Sequence, residues 1–193
     1  VADHFPGIGR YAARLVDALS GSGSGDEIVV LRAPGQVDVR HALDALARRP
    51  GVRFRTVRGG LLTPQAQWHV RRALAAERPD VFHATYWSSA LFPGVPTVLS
   101  VYDLIGRRVP GAVPSVRGTV LWWIARLALR SAAGIVTLSE WSKRDLVAEG
   151  WAPEDRVTVT PLAAAERFRT VDADAVAAVR AGLGLPARYV LNV

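Results

Sequence analysis

Cysteine and methionine are both absent from the 193 residues. Without cysteine there is no disulfide framework and no thiolate metal site. A reducing interior fits, so the expected location is cytoplasmic. No apolar run reaches the ~20 residues that a membrane-spanning helix needs. No stretch at the start has the form of a signal peptide, and the opening on Val1 reads as a trimmed N-terminus. Lysine is nearly missing, with Lys143 alone among 24 basic residues, and it lies on a helix with no glycine loop before it. There is no nucleophile elbow, no His-Glu-x-x-His and no Walker loop. Acyl-transfer and metal-based chemistries therefore lack a basis, and the expectation is no metal and no cofactor.

Half of the residues are apolar, enough for one sizeable core. The net charge of +7 is carried almost wholly by arginine, whose planar fork suits phosphates and carboxylates. The arginines are scattered, as at Arg10, Arg14, Arg32 and Arg40. They read as solvated helix faces, and no basic stripe with interleaved aromatics marks a nucleic-acid surface.

Strand and helix patterns alternate, which predicts an α/β fold with a parallel sheet flanked by helices. Ala12, Leu15, Val16 and Leu19 recur at helical spacing. A buried strand is expected at 27–31, a helix at 39–48, an edge strand at 52–57 and a helix from Thr63-Pro64 to about Ala76. Short strands follow at 81–83 and 97–101. A long helix is expected at 115–132, then a strand at 134–138 and a helix capped by Ser139 and stopped at Gly150. A strand at 157–160, a helix at 173–181 and a final strand at 189–193 complete the chain. Trp122 and Trp123 in the long helix read as ordinary packing, with a membrane-interface anchor as the other reading.

The strongest local signal is Pro6-Gly7-Ile8-Gly9-Arg10-Tyr11, read as a glycine loop that opens the first helix. Such a loop leaves backbone N–H groups uncovered at the positive end of the helix dipole, a place for an anion; the plain alternative is a tight turn. Open parallel sheets bind ligands beyond the carboxyl ends of their strands. Several polar residues are expected there: His83 at the end of one strand, Tyr86 in the loop after it, Tyr102 and Asp103 after the next, and Ser139 and Glu140 after a third. Each has an alternative. His83 reads equally as a satisfied core histidine, Asp103 as a turn-former, Glu140 as a helix N-terminal charge, and His4 as an exposed loop residue.

Gly7-Ile8-Gly9-Arg10-Tyr11, Asp80-Val81-Phe82-His83-Ala84, Ser100-Val101-Tyr102-Asp103-Leu104, Ile135 to Ser142, and Val157-Thr158-Val159-Thr160-Pro161-Leu162 come in a familiar order and spacing. Together they make the chain resemble the N-terminal half of a family 4 retaining glycosyltransferase. The resemblance implies the GT-B fold, two Rossmann-like halves across a cleft. Here 1–186 would be the acceptor-side half, with its first strand missing, and 187–193 the start of an absent donor-binding half. It implies sugar transfer from a nucleotide-sugar donor to a sugar, lipid or small-molecule acceptor, without metal, and inactivity of this half alone. By the same resemblance Gly7, Gly9 and Arg10 face the donor diphosphate. Asp103 and His83 are the catalytic candidates, and Tyr102, Tyr86, Ser139 and Glu140 lie on the acceptor side. Two positions depart from the family pattern: Tyr102-Asp103 replaces a common His-Asp pair, and Leu162-Ala163-Ala164 replaces Asn-Gly. The competing class is a non-catalytic α/β module that binds an anionic or sugar-phosphate ligand. A third reading is peripheral contact with the inner face of a membrane.

Overall fold

The computed structural model describes residues 6–35, 43–59, 63–86, 93–104, 116–165 and 168–190. His4, the start of the helix expected from residue 39, the loop residues Trp87 to Ser89, Pro110 and Pro114 lie outside them. The chain divides into two compact units, Val1–Pro161 and Leu162–Val193.

In the first unit the elements run α1 (Pro6–Gly21), β1 (Ile28–Arg32), α2 (Leu43–Leu46), β2 (Val52–Thr56), α3 (Pro64–Glu77), β3 (Phe82–Ala84), β4 (Thr97–Val101), α4 (Val116–Ser131), β5 (Gly134–Thr137), α5 (Glu140–Ala148), a 3₁₀ turn (Glu154–Arg156) and β6 (Val157–Val159). All strand pairs are parallel. β1 pairs with β2, with Ile28 opposite Val52. β3, β4, β5 and β6 form a four-stranded sheet in that order, with His83 opposite Val98, Ser100 opposite Val136 and Thr137 opposite Val159. This is the expected helix-flanked parallel architecture.

Local chemistry sets the boundaries. Thr63 caps α3 by accepting from the Ala66 N–H at 3.2 Å, and Pro64 fills the first helical position, where a missing N–H costs nothing. α3 ends at Arg78, which takes a left-handed φ of 48°, and Pro79 prevents continuation. Gly59 shows a real need for glycine: its φ is +113°, and an added Cβ would lie 2.8 Å from the Ala66 Cα. Gly150, at φ +66°, ends α5 as its position after the helix requires.

The main core packs on the four-stranded sheet. Leu99, Leu129, Ile135 and Leu146 are at most 1% exposed, and Trp122 meets Trp151 edge-on with ring centroids 5.4 Å apart. A smaller cluster of Ala13, Leu43 and Leu46, with Val16 and Phe54, joins α1, α2 and β2. Glu77 at the end of α3 bridges to Arg53 and Arg55 of β2. These hydrogen bonds, first that of Arg53, hold the Glu77 carboxyl below the ordinary carboxylate range.

Three expectations are corrected. β1 is half-buried along its whole length rather than buried, because its only strand partner among the described residues is β2. β3 begins one residue later than expected, so His83 is its middle residue and Ala84 its last. Tyr189 and Val190 are irregular rather than strand, and 191–193 lie outside the described residues. In the second unit α6 (Ala173–Gly182) is capped by Asp172, which accepts from the Ala175 N–H at 2.7 Å.

One core group is out of place energetically. Thr137 is fully buried, yet its hydroxyl has no partner among the described residues. An unmet buried hydroxyl costs about 1–3 kcal/mol. Thr137→Val keeps the branched shape that suits β5 and should raise stability by about 1 kcal/mol. A urea melt checks this, and a loss of stability would mean that the hydroxyl is satisfied.

Candidate active site

The polar residues lie toward the carboxyl ends of β3 and β4 and in the segments that follow β3, β4 and β5. β4 supplies Ser100 and leads directly into Tyr102 and Asp103. Its five residues are Thr-Val-Leu-Ser-Val, and Ser100, 1% exposed, must find a partner inside the fold. It finds two. The Ser100 hydroxyl lies 2.9 Å from His83 Nε2 on β3 and donates to the Tyr11 hydroxyl on α1 at 3.3 Å. With Ser100 donating to Tyr11, neutral His83 satisfies it by carrying its proton on Nε2. Burial holds His83 below the ordinary histidine range.

Tyr11 also meets the Tyr102 ring edge-on, with centroids 5.5 Å apart and planes at 88°. Tyr102 donates its phenolic proton to the Thr85 carbonyl at 2.7 Å. Burial, then the neighbouring Tyr11 and Tyr86 hydroxyls, push its ionisation far above the ordinary tyrosine value. Tyr102 is thus a fixed hydrogen-bond donor and no base at neutral pH. The Tyr102 carbonyl accepts from the Ser142 hydroxyl at 3.0 Å. Ser139 caps α5 by accepting from the Ser142 N–H at 3.1 Å and donates to the Ser142 hydroxyl at 3.0 Å. The second turn of α1, through Tyr11, and the first turn of α5, through Ser142, are both tied to the end of β4.

The structure revises the glycine stretch. Gly7 and Gly9 lie in α1 itself, which begins at Pro6, and neither has positive φ. The expected loop is the first helical turn, whose amides have no carbonyl four residues back. Pro6 lacks an N–H, so Gly7 and Ile8 carry the amides of that turn that have no acceptor within the helix. No acidic residue lies in the turn. Gly7 is exposed, a Cβ there would meet nothing within 4 Å, and Gly9 is buried. Arg10 is exposed on the next turn.

Among the other expected residues, Asp103 is exposed just past β4, Tyr86 is half-buried after β3, and Glu140 is exposed in the first turn of α5. The contacts that knit the group together run through Tyr11, Ser100, Ser142 and Thr85, none of them among the expected site residues. Ser100 had a readable signal: one hydroxyl in a buried apolar strand. Among the described residues no three His, Asp or Glu side chains cluster as metal ligands would.

His83 gives a pH test. The unfolded chain takes up its proton near pH 6.5, while the folded chain resists until a lower pH. Between those values the unfolded state binds more protons, so stability falls as pH falls. His83→Gln removes this increment and keeps a donor for Ser100. The urea midpoint of the variant should change less than wild type as pH drops from 7 to about 5. Equal pH dependence would mean that His83 titrates normally in the fold.

The fold is a Rossmann-like α/β domain of the GT-B type with its polar groups toward the carboxyl ends of the strands. Residues 6–163 match the model of the Glycosyl transferase 4-like domain, and the chain belongs to that family. Its fold is similar to that of Anabaena Alr3699/HepE in two crystal structures. With UDP-glucose bound, the TM-score is 0.52 at 15% identity over 81% of this chain and 49% of that one. With UDP and glucose bound, it is 0.57 at 16% identity over 91% and 47%. The chain thus spans about half the length of these structures. No curated protein matches it.

Proposed function

We propose that the chain is the acceptor-side half of a retaining glycosyltransferase that uses a nucleotide-sugar donor. The observation that carries the reading is the tie from Tyr11 to Ser100 and Tyr102, which anchors the second turn of α1 at the carboxyl end of β4. Gly7, Gly9 and Arg10 then face the donor diphosphate. Asp103 and Glu140, both exposed, meet the acceptor together with Tyr86, Tyr102 and Ser139. His83 acts through Ser100, keeping the rim in register beside Asp103. UDP-sugar binding by HepE supports the donor class.

In this scheme an acceptor hydroxyl oxygen bonds to the anomeric carbon as the bond to the diphosphate oxygen breaks. The hydroxyl proton passes to that leaving oxygen on the same face, so configuration is retained. The scheme calls on no metal. The donor's nucleotide and sugar are gripped by a second half that begins near residue 187, so residues 1–186 alone transfer nothing. The proposed location is cytoplasmic; no helix among the described residues is long and apolar enough to cross a membrane.

The test is nucleotide release from a panel of nucleotide sugars by a protein in which these residues are joined to a donor-binding half. Proton NMR of the product would read its anomeric configuration. Release with retention supports the reading. An inverted product would overturn retention, and tight nucleotide binding with no turnover would favour a non-catalytic binding module.

A further inference from the structure

We propose that the outward face of α4 is a docking surface for an anionic lipid bilayer. The sequence holds adjacent tryptophans, and the structure separates them. Trp122 turns inward onto Trp151, while Trp123 is 61% exposed. Val120 and Leu127 are 52% and 48% exposed. At i, i+3 and i+7, these three side chains form one stripe over two turns of the helix. Its opposite face, with Ala125, Ala128 and Leu129, is in the core. Single exposed apolar residues need no explanation, but a contiguous stripe along one helix face does.

The charge beside the stripe selects the occupant. α4 contains three arginines and no acidic residue. The Arg126 guanidinium lies 6.0 Å from the Trp123 ring centroid, and Arg130 is exposed in the last turn. Arginine above an indole is an amphipathic pair suited to the headgroup level, with the ring at the acyl boundary and the cation at lipid phosphate. The chain's net charge of +7 has the same sign. Three apolar side chains also fall short of the roughly 800 Å² per partner of a stable protein interface.

The test is co-sedimentation of the 193-residue chain with phosphatidylcholine vesicles, with and without phosphatidylglycerol. Binding should require phosphatidylglycerol and weaken as salt is added. Trp123→Ala with Leu127→Ser should weaken it roughly tenfold. Arg126→Glu with Arg130→Glu should abolish the preference for anionic vesicles. Trp141→Ala removes another exposed tryptophan with an arginine over its ring, on α5, and should leave binding unchanged. These residues are outside the sugar-transfer site, so failure here leaves the transferase reading standing. Equal binding by wild type and the Trp123/Leu127 variant would overturn the proposal, as would no binding by wild type. Concentration-dependent dimers lost in the same variant would assign the face to a second copy instead.

Discussion

Gly7→Leu should leave the thermal midpoint within about a degree of wild type and lower nucleotide-sugar turnover by roughly one to two orders of magnitude. The two effects separate because of where Gly7 lies. It is exposed in the first turn of α1, and a Cβ there meets nothing within 4 Å. Leucine also favours a helix more than glycine does, so folding gains slightly if it changes at all. A diphosphate accepting from the Gly7 and Ile8 amides needs the bare backbone, and a leucine side chain would stand in its path. Hydrogen bonds to a charged group are worth about 1.5–3 kcal/mol each, and losing one costs the predicted factor. Gly9 is the poorer test. It is buried, so a bulky replacement there would damage folding and turnover together. The check is donor kinetics in the two-half protein beside a thermal melt. Unchanged turnover would make the first turn an ordinary helix start.

Leu99→Ala should be the most destabilising single truncation, costing about 3–4 kcal/mol. Leu99 is fully buried in β4, with strands on both sides. Its removal leaves a void that a sheet bonded on both edges cannot close. For a domain of this size the melting midpoint should fall by about 10 °C. The loss should reach the site as well, because β4 carries Ser100 and leads directly into Tyr102 and Asp103. A shift of only one or two degrees, within the range of surface substitutions, would show that the strand relaxes around the void.

Periodicity and punctuation carried most of the fold. Thr63-Pro64, Ser139 and Gly150 act locally, through caps and a left-handed stop, so a single sequence reveals them. The state of β1 was not legible in the same way. Its Ile-Val-Val-Leu run is the same whether or not a strand pairs on each side, and pairing is a tertiary fact. Gly7 and Gly9 were read as a loop because glycine weakens helices. Here the helix starts at Pro6, ahead of both glycines, and tertiary contacts through Ala13, Val16 and Tyr11 hold it.

The site shows the same division. The gathering of its polar residues was legible, because a parallel sheet places strand-end residues on one rim. Its wiring was not. The partners Tyr11 and Ser100 are 89 residues apart in sequence, and nothing local in either announces the other. Trp122 and Trp123 make the point most sharply. Neighbours on a helix differ by about 100° in direction, so one packs on Trp151 and the other faces outward.

Transfer measured side by side in the 193-residue chain and in the same residues followed by a donor-binding half tests the central claim most directly. Turnover of a nucleotide sugar confined to the two-half protein, and sharply reduced there by Gly7→Leu, is the expected result. Transfer by the 193-residue chain alone at a comparable rate would contradict the claim that these residues form one side of a divided active site.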